Sequence, residues 1–563
     1  MNCNTELCYW DFGDCVTAQS PVKVYVSGSE GAGPFLGTWS SPYNSLVTAI
    51  GSAWAPYTTI YLLKGQHFLQ SQASLVLTVS VPFLRIQTLF CTGSAGDHPK
   101  CASQSATLQM TKTDLNFLIT AQFSVQDVTV KGGFFLKDGC SSDYCTYCPA
   151  VHFNEITGVM NNDRNSPIAD YAPQSLCDVY KASSLFQLSP QSTLTLTNVR
   201  FDTIRHQPLA LILNQCGNLV MTNVTFSSIV PRRLGLSGGV IQQLNIPAYE
   251  PYYCGSFLYQ SGLVERMNNG YEYSESNLFS GFAWLVALRA IWISEVTFQF
   301  NYMQIGQSQQ IYGSALMFFR RFREMTLQNC TFKNNIADTG AALYIYTALT
   351  MPLIVQNGIA SEQALLHLQL VNNYFANNTG RTGSVILIRF LTDHQNVLMR
   401  NNTFVNNFAT EGSILELSFG NLQDRYTVGQ NLSVQVNQSY VTVFVPPIVT
   451  QIASIVFQRN YSPLLCSISS VANFLLSDGS FVQNGDSPVG LNSNEVVLRA
   501  FTLNQDVYLS LVPPRIVTTT CTALFLVKDS YNASISQVQF EAIICLQGSP
   551  GISLSGATRF VTS

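Results

Sequence analysis

Met325-Thr-Leu-Gln-Asn-Cys-Thr-Phe-Lys-Asn-Asn335 recurs twice further along the chain, as Leu368-Gln-Leu-Val-Asn-Asn-Tyr-Phe-Ala-Asn-Asn378 and as Leu398-Met-Arg-Asn-Asn-Thr-Phe-Val-Asn-Asn407. Each copy is an alternating apolar strand, a phenylalanine and an asparagine pair. A glycine soon afterwards opens a second short apolar strand, as in Gly340-Ala-Ala-Leu343, Gly383-Ser-Val-Ile386 and Gly412-Ser-Ile-Leu415. Such repeats are typical of solenoids, in which each unit buries its apolar face only against its neighbours.

The repeat predicts an all-β fold, a right-handed parallel β-helix with long side loops. Its strands have four to six residues, show no helical periodicity and end in Asn or Gly. We expect Phe332, Phe375 and Phe404 to stack inside the coil. Asn suits the corners, since it tolerates the left-handed backbone region and its amides can hydrogen-bond from coil to coil as a ladder. At about 25 residues a coil, the chain would hold about twenty coils.

The motif resembles the FxxN and GGA[ILV] repeats of polymorphic outer-membrane proteins and, more widely, the pectin-lyase-like β-helix family. The resemblance implies the fold and specifies no chemistry. Ser41 to Ala53 has a Ser cap, an early Pro and apolar residues at helical spacing, which predicts a short helix over the first coil. We therefore expect an entrance and cap at 20–69 and a coil over 70–563, with insertions near 136–180, 229–280 and 421–447.

Residues 1–19 carry a different motif, Cys3-Asn-Thr-Glu-Leu-Cys8-Tyr-Trp-Asp11-Phe-Gly-Asp14-Cys15. It resembles the closing half of a Lin-12/Notch-type repeat, whose complete form has six cysteines and a bound calcium ion. The resemblance implies disulfides at Cys3, Cys8 and Cys15 and calcium ligands at Asp11 and Asp14, and calcium is the one cofactor that the sequence suggests. Because the first half of that repeat is missing, we expect that residue 1 is not the natural start of the polypeptide.

Composition limits the classes of partner. Only 11% of the 563 residues are charged and the formal net charge is -4, so no basic stripe is present to neutralise the phosphates of a nucleic acid. The longest apolar run, Phe282 to Ile293, is short and contains Arg289, so the sequence predicts no membrane span.

Cysteines and glycosylation sequons indicate an extracellular or cell-surface protein. The fifteen cysteines are scattered, as expected for disulfides formed in an oxidising compartment. Candidate N-glycosylation sites are Asn223, Asn329, Asn377, Asn401, Asn431, Asn437 and Asn532, and an eighth sequon at Asn460 is weakened by Pro463. Cys330 lies inside a repeat strand and is a candidate buried thiol.

Two polar segments stand out from the coil pattern. Cys140, Cys145 and Cys148 fit disulfides, and their Cys-x-x-Cys spacing leaves zinc as the alternative. The stretch from 229 to 280 is rich in tyrosine, a residue that offers rigid amphipathic contact area. We expect a partner contact surface there, formed by Tyr249, Tyr252, Tyr253, Tyr259, Tyr271 and Tyr273; the alternative is a loop that covers an exposed sheet.

The sequence does not predict an enzyme. Hydrolases of this fold need paired Asp on neighbouring strands and a His, and lyases need clustered carboxylates for calcium with a basic residue nearby, but acidic residues and histidines are scattered here. We expect an extracellular structural or adhesive glycoprotein, a rigid rod within a surface filament or matrix, similar to large β-helix surface proteins of single-celled eukaryotes. Its partners would be further copies, other surface glycoproteins or glycans. The alternative is a carbohydrate-binding or degenerate carbohydrate-active protein.

Overall fold

Alternating apolar residues form short strands that stack in parallel on three faces of a right-handed β-helix. The computed structural model describes residues 22–28, 35–69, 75–91, 100–110, 115–132, 152–153, 160–161, 184–207, 210–231, 237–238, 240–243, 255–267, 278–280, 282–285, 288–301, 311–312, 318–319, 322–337, 339–347, 355–356, 359–360, 366–380, 385–390, 395–409, 412–419, 430–436, 439–445, 449–462, 464–470, 473–482, 484, 523–528, 532–541, 552–555 and 559–562. Within these residues the predicted fold class is confirmed.

Face 1 and face 2 belong to one sheet of 26 strands. Face 1 contains Lys23–Val26, Thr59–Leu62, Leu84–Thr88, Gln122–Gln126, Thr193–Thr197, Asn218–Thr222, Phe322–Gln328, Leu366–Val371, Gln395–Arg400, Val449–Ala453, Asn473–Ser477, Asn532–Ser536 and Arg559–Thr562. Face 2 contains Gln66–Leu69, Ala106–Met110, Val128–Gly132, Arg200–Asp202, Thr225–Ser227, Thr331–Lys333, Tyr374–Ala376, Thr403–Val405, Val456–Gln458, Ser480–Val482 and Gln539–Glu541. Two longer strands, Ser256–Glu265 and Leu288–Gln299, bend from face 1 into face 2 and join the two.

Face 3 is a separate sheet of 13 parallel strands. It contains Leu75–Val79, Leu115–Ile119, Phe186–Leu188, Ile212–Asn214, Ile241–Gln243, Ala283–Leu285, Phe318–Phe319, Leu343–Thr347, Ile386–Phe390, Ser413–Phe419, Leu464–Ser469, Ala523–Lys528 and Ile552–Ser555. Smaller sheets and hairpins lie beside the coil: Arg205–Gln207 with Val230–Pro231, Thr379–Gly380 with Phe408–Ala409, the three strands Ser237–Gly238, Leu278–Ser280 and Ile311–Tyr312, and the hairpins His152–Phe153/Met160–Asn161, Val355–Gln356/Ile359–Ala360 and Gln430–Val436/Ser439–Val445.

Equivalent residues of successive coils are in register, so like side chains stack. Phe332 pairs with Phe375 and Phe375 with Phe404 across face 2, as the repeat predicts. Their ring centroids lie 5.0 and 4.7 Å apart, with nearly parallel planes. The stack continues without interruption from Phe298 to Phe540. Each ring between the two ends of the stack therefore lies against two others, which accounts for the recurrence of Phe at one position of the repeat.

The predicted cap is also present. Helix α1, Leu46–Ser52, begins after Ser45, whose hydroxyl accepts a hydrogen bond from the Thr48 amide. Its buried residues, Leu46, Ala49 and Ile50, join the core. The helix thereby covers apolar side chains of the first coil that the structure describes.

Two sequence expectations need correction. Face 1 has fifteen strands in the described part of the chain, not about twenty, because long connections take up residues that the average spacing assigned to coils. At about 4.8 Å per strand the ladder is about 70 Å long. The stretch 229–280 is not one continuous excursion either, since Ser256–Glu265 is a strand of the main sheet. The stretch 421–447 does contain a structure outside the coil, the antiparallel hairpin Gln430–Val436/Ser439–Val445.

Candidate functional surfaces

Most coils turn twice through a residue with positive φ, and these two corners lie five residues apart. Corner 1 separates face 1 from face 2 and corner 2 follows face 2. Corner 1 contains Asp127, Asn198, Asn223, Ser261, Glu295, Asn329, Asn372, Asn401, Ser454, Asp478 and Gln537, and corner 2 contains Thr203, Ser228, Arg266, Phe300, Asn334, Asn377, Asn406 and Arg459, with Gly132 at the equivalent place. Asn is common here because it adopts left-handed backbone conformations more readily than other residues with a side chain.

The second Asn of a pair points inward and forms the predicted ladder. Six fully or almost fully buried asparagines are linked in order by bonds from Nδ2 to Oδ1 of 2.9 to 3.1 Å, namely Asn301, Asn335, Asn378, Asn407, Asn460 and Asn484. Each Nδ2 also donates to a main-chain carbonyl of face 2, for example from Asn378 to Phe332 at 3.0 Å. The side-chain amides of the ladder thus supply one another with hydrogen-bond donors and acceptors inside an apolar core, where an unpaired amide would be costly.

Four predicted glycosylation residues lie exposed at these corners. Asn223, Asn329 and Asn401 lie at corner 1 and Asn377 at corner 2, all with φ between 52° and 54°. The hydroxyl residue of each corner 1 sequon is the first residue of a face 2 strand and is partly exposed; these residues are Thr225, Thr331 and Thr403. These asparagines are accessible to an attached sugar without entering the core.

Corner 1 carries a second, exposed asparagine ladder. Asn401 Nδ2 donates to Asn372 Oδ1 at 3.0 Å, and Asn372 Nδ2 donates to Asn329 Oδ1 at 3.2 Å. Further towards the N-terminus, Asn223 donates to Asn198 at 2.9 Å. The corner is therefore a row of polar groups along the coil axis, and candidate sugar attachment points at Asn329 and Asn401 are separated by one coil.

The remaining sequons differ from these four. Asn460 is fully buried in the inner ladder, where its Nδ2 donates to Phe404 O at 2.8 Å and to Asn484 Oδ1 at 3.1 Å. Asn431 lies in a strand of the hairpin and Asn532 begins a strand of face 1. Asn437 lies outside the described residues. The folded coil consequently has no room for a sugar on Asn460.

The described cysteines include both disulfides and thiols. Cys91 and Cys101 are bonded to each other, and Cys216 is also disulfide-bonded. Cys330 is a buried free thiol, as predicted, and Cys466 is a second one that the sequence analysis did not identify. Burial raises the pKa of Cys330 to about 12 and that of Cys466 well above its ordinary value. Neither thiol is a nucleophile at neutral pH.

Tyr259 was predicted to contact a partner, and that prediction is wrong. Its side chain is fully buried, and its hydroxyl donates to Val224 O at 2.7 Å. The coil of Tyr259 has Val264 at the position where its neighbours have Phe226 and Phe298, and the tyrosine ring contacts both phenylalanines edge-on. Tyr259 therefore fills the gap in the phenylalanine stack.

Gly262 leaves the space that lets the Tyr259 ring take the place of a phenylalanine ring in the stack. A Cβ atom at Gly262 would lie 2.2 Å from the Tyr259 ring. Only a residue without a side chain fits beside the ring there. The combination of a missing Phe, a Tyr three residues before a Gly and an otherwise normal strand pattern is the sequence signal that identifies Tyr259 as a core residue.

The other predicted site residues lie outside the described residues. They are Cys3, Cys8, Asp11, Asp14, Cys15, Cys140, Cys145, Cys148, Tyr249, Tyr252, Tyr253, Tyr271 and Tyr273. Within the described ranges, no group of three or more His, Cys, Asp or Glu side chains is arranged to hold a metal ion. No helix of the described chain is long and apolar enough to cross a bilayer.

Face 1 carries one exposed apolar strip that the sequence analysis missed. Val220, Leu258 and Trp292 are directly paired on three successive strands, and all three point outward. Leu258 is 38% and Trp292 47% exposed. Trp292 occupies the outward position between Ile291 and Ile293, and a large aromatic residue at the polar position of an alternating strand is the signal that could have identified it.

Comparisons with known proteins find similar folds at very low sequence identity. A rhamnogalacturonan lyase is 8% identical over 77% of this chain and 82% of its own, with a TM-score of 0.33. A mannuronan C-5 epimerase A-module of Azotobacter vinelandii is 10% identical over 91% of this chain and 93% of its own, with a TM-score of 0.23. PfbA, a surface adhesin of Streptococcus pneumoniae, is 9% identical over 90% of this chain and 82% of its own, with a TM-score of 0.24. No protein-family model and no curated protein matches the sequence. Such low scores carry no argument about function.

Proposed function

We propose that this chain is an extracellular N-glycosylated rod with a structural or adhesive role at a cell surface or in a matrix. The observation that carries the proposal is the position of Asn223, Asn329, Asn377 and Asn401, which are exposed sequon residues at the corners of the coil. A sugar on Asn329 or Asn401 projects away from the core. Asn401 Nδ2 uses one hydrogen for its bond to Asn372 Oδ1, and the linking nitrogen of a glycosylated asparagine keeps one hydrogen.

The interior supports a rod that keeps its shape. The phenylalanine stack and the inner asparagine ladder run in the same direction, so side-chain contacts connect each coil to the next in addition to the main-chain bonds. The disulfide between Cys91 and Cys101 fits an oxidising compartment. Further copies of the chain or other surface glycoproteins are the expected partners.

The test is secretion from eukaryotic cells followed by mapping of each sequon by peptide mass spectrometry, before and after enzymatic removal of N-glycans. We expect sugar on Asn223, Asn329, Asn377 and Asn401, and none on Asn460. Matched controls are Thr225→Val, Thr331→Val and Thr403→Val, each of which removes one sequon while keeping the asparagine at its corner. Each control should lose a single glycan and still be secreted.

Two results would contradict the proposal. One is secreted, folded protein with all four corner sequons unmodified, and the other is natural material in which Cys91 and Cys101 are fully reduced. The structural role has a separate test. Sedimentation and negative-stain electron microscopy of the secreted chain should show end-to-end or lateral multimers as its concentration rises, since a structural rod assembles.

A further inference from the structure

The strip of Val220, Leu258 and Trp292 lies along the coil axis in the middle of face 1. Adjacent strands are about 4.8 Å apart, so the three side chains span about 10 Å. Thr195 precedes Val220 and Thr326 follows Trp292 at the same position of the neighbouring strands. The strip is thus a short apolar line bounded at both ends by hydroxyl groups.

The surroundings of the strip are polar and uncharged. The strand segments 218–222, 256–260 and 290–294 contain no charged residue. Beside the strip on the corner 1 side lie Thr222, Gln260 and Ser294, which are paired with one another on the three strands. Charged residues lie at the margin of this segment, namely the exposed Arg289, Glu295 and Glu324. Such a surface offers hydroxyl and amide hydrogen bonds beside apolar area and does not favour an ion of either sign.

The apolar area is too small for a stable protein interface. Trp292 and Leu258 together expose on the order of 200 Å². A standard protein interface buries about 800 Å² on each partner. The exposed apolar surface matches a small ligand with an apolar face and polar edges, and a sugar ring has both: its C–H groups stack on an aromatic face while its hydroxyls bond at the rim.

We propose that face 1 binds an extended neutral polysaccharide chain lying along the coil axis, with one sugar ring stacked on Trp292 and the next on Leu258. Thr222, Gln260 and Thr326 are placed to bond its hydroxyls. The inference is independent of the proposed glycosylation, since the strip is on the protein surface with or without attached sugars. It specifies a neutral polysaccharide as the ligand for the adhesive role proposed above.

The test is a depletion assay of the full secreted chain against insoluble cellulose, chitin, β-1,3-glucan and mannan, with polygalacturonate as the acidic comparison. Protein is used both with its N-glycans and after their removal. The decisive variant is Trp292→Ala, and Trp292→Phe tests stacking without the larger ring. Trp54→Ala is the matched control, because Trp54 is 84% exposed and lies at the capped end of the coil.

We expect retention on at least one neutral polysaccharide and weaker retention on polygalacturonate. Trp292→Ala should reduce retention at least tenfold, Trp292→Phe should reduce it less, and Trp54→Ala should leave it unchanged. Because Trp292 points outward, the thermal midpoint of the alanine variant should match that of the parent, which separates lost binding from lost folding.

Three results would overturn the proposal. The first is no retention on any neutral polysaccharide, or retention that Trp292→Ala does not weaken. The second is a dimer in sedimentation that Trp292→Ala abolishes, which would assign the strip to a second copy. The third is retention only after glycan removal, which would assign it to the sugar on Asn223, a residue at the edge of the same face.

Discussion

Asn407 Nδ2 donates to Asn460 Oδ1 over 2.9 Å, and both side chains are fully buried. The same nitrogen donates to Phe375 O at 2.9 Å, while Asn407 Oδ1 accepts from both nitrogens of Asn378 at 3.0 Å. One amide therefore connects three successive coils. It uses both of its hydrogens and both lone pairs in doing so.

Asn407→Asp should destabilise the coil by about 3 kcal/mol or more at neutral pH. A carboxylate accepts from Asn378 but cannot donate to Phe375 O or Asn460 Oδ1. Phe375 O therefore loses a buried donor, and Asn460 Oδ1, which keeps only the Asn407 main-chain N–H, faces a buried negative charge. The measurement is urea unfolding together with hydrogen exchange of the strands around residue 407, since solenoids open locally.

Asn406→Asp is the matched control for that prediction. Asn406 is the preceding residue, has a φ of 52° and is exposed at corner 2. Asp also tolerates this backbone conformation, and its charge lies in water. Its effect should stay within about 0.5 kcal/mol. Equal destabilisation by the two variants would show that the inner ladder does not contribute to stability.

Phe404→Ala should lower the free energy of unfolding by about 3–5 kcal/mol. It removes a fully buried ring that stacks on Phe375 at 4.7 Å and on Phe457 at 4.6 Å. Phe540→Ala, at the end of the same stack, should cost much less because Phe540 is 40% exposed. Denaturant midpoints of the two variants provide the comparison. Similar losses of stability in the two variants would contradict the prediction that a ring buried inside the stack stabilises the coil more than the exposed ring at its end.

The repeat alone predicted the stack and the ladder correctly, since both depend on residues that recur at one position of each coil. Phe332, Phe375 and Phe404 are identical, and strict register follows from parallel pairing. The number of coils was overestimated because an average spacing says nothing about where a connection lengthens. The face on which each side chain lies depends on pairing across strands, which is why the strip at Trp292 emerged only from the structure.

Tyr259→Phe should lower the free energy of unfolding by about 1–2 kcal/mol, because Val224 O loses a buried hydrogen-bond donor. Tyr259→Ala should cost about 3–5 kcal/mol, because it leaves a cavity between Phe226 and Phe298. Leu258→Ala, one residue away and pointing outward, is the control and should have little effect on stability. Thermal unfolding measures all three. Full stability of the alanine variant would contradict the core role of Tyr259.

Tyr259 also shows why composition misled the sequence analysis. The stretch around it is rich in tyrosine, and a cluster of tyrosines is typical of a contact surface. The decisive information was local: Tyr259 lies at an inward position of an alternating strand, and Gly262 provides space for its ring.

The stability of the capped end should decrease as the pH falls below about 6.5. His67 is buried, with Nε2 2.8 Å from Leu63 O, and desolvation lowers its pKa below the ordinary value of 6.5. The unfolded chain then binds a proton that the folded chain does not, so acid favours unfolding. His67→Leu should flatten the dependence of the thermal midpoint on pH between 7 and 5. An unchanged slope in the His67→Leu variant would contradict this assignment.

Cys330 and Cys466 should resist alkylation in the folded protein. Both are buried, and the raised pKa of each keeps the thiol protonated at pH 8. Iodoacetamide should label them only in denaturant, as read by peptide mass spectrometry. Cys330→Ser should not change labelling of Cys466, since Cys330 follows corner 1 and Cys466 lies in the face 3 strand Leu464–Ser469. Rapid labelling of either residue without denaturant would contradict the burial.

The direction of the asparagine ladder and of the phenylalanine stack has a mechanical consequence. The covalent chain winds around the axis, whereas the asparagine bonds and ring contacts run along it from coil to coil. A force along the axis therefore loads weak contacts in series and leaves the peptide backbone slack. Under tension applied to its two ends the rod should peel one coil at a time, each step releasing the length of that coil and its side loop. Under bending or compression the same contacts are pushed together and resist.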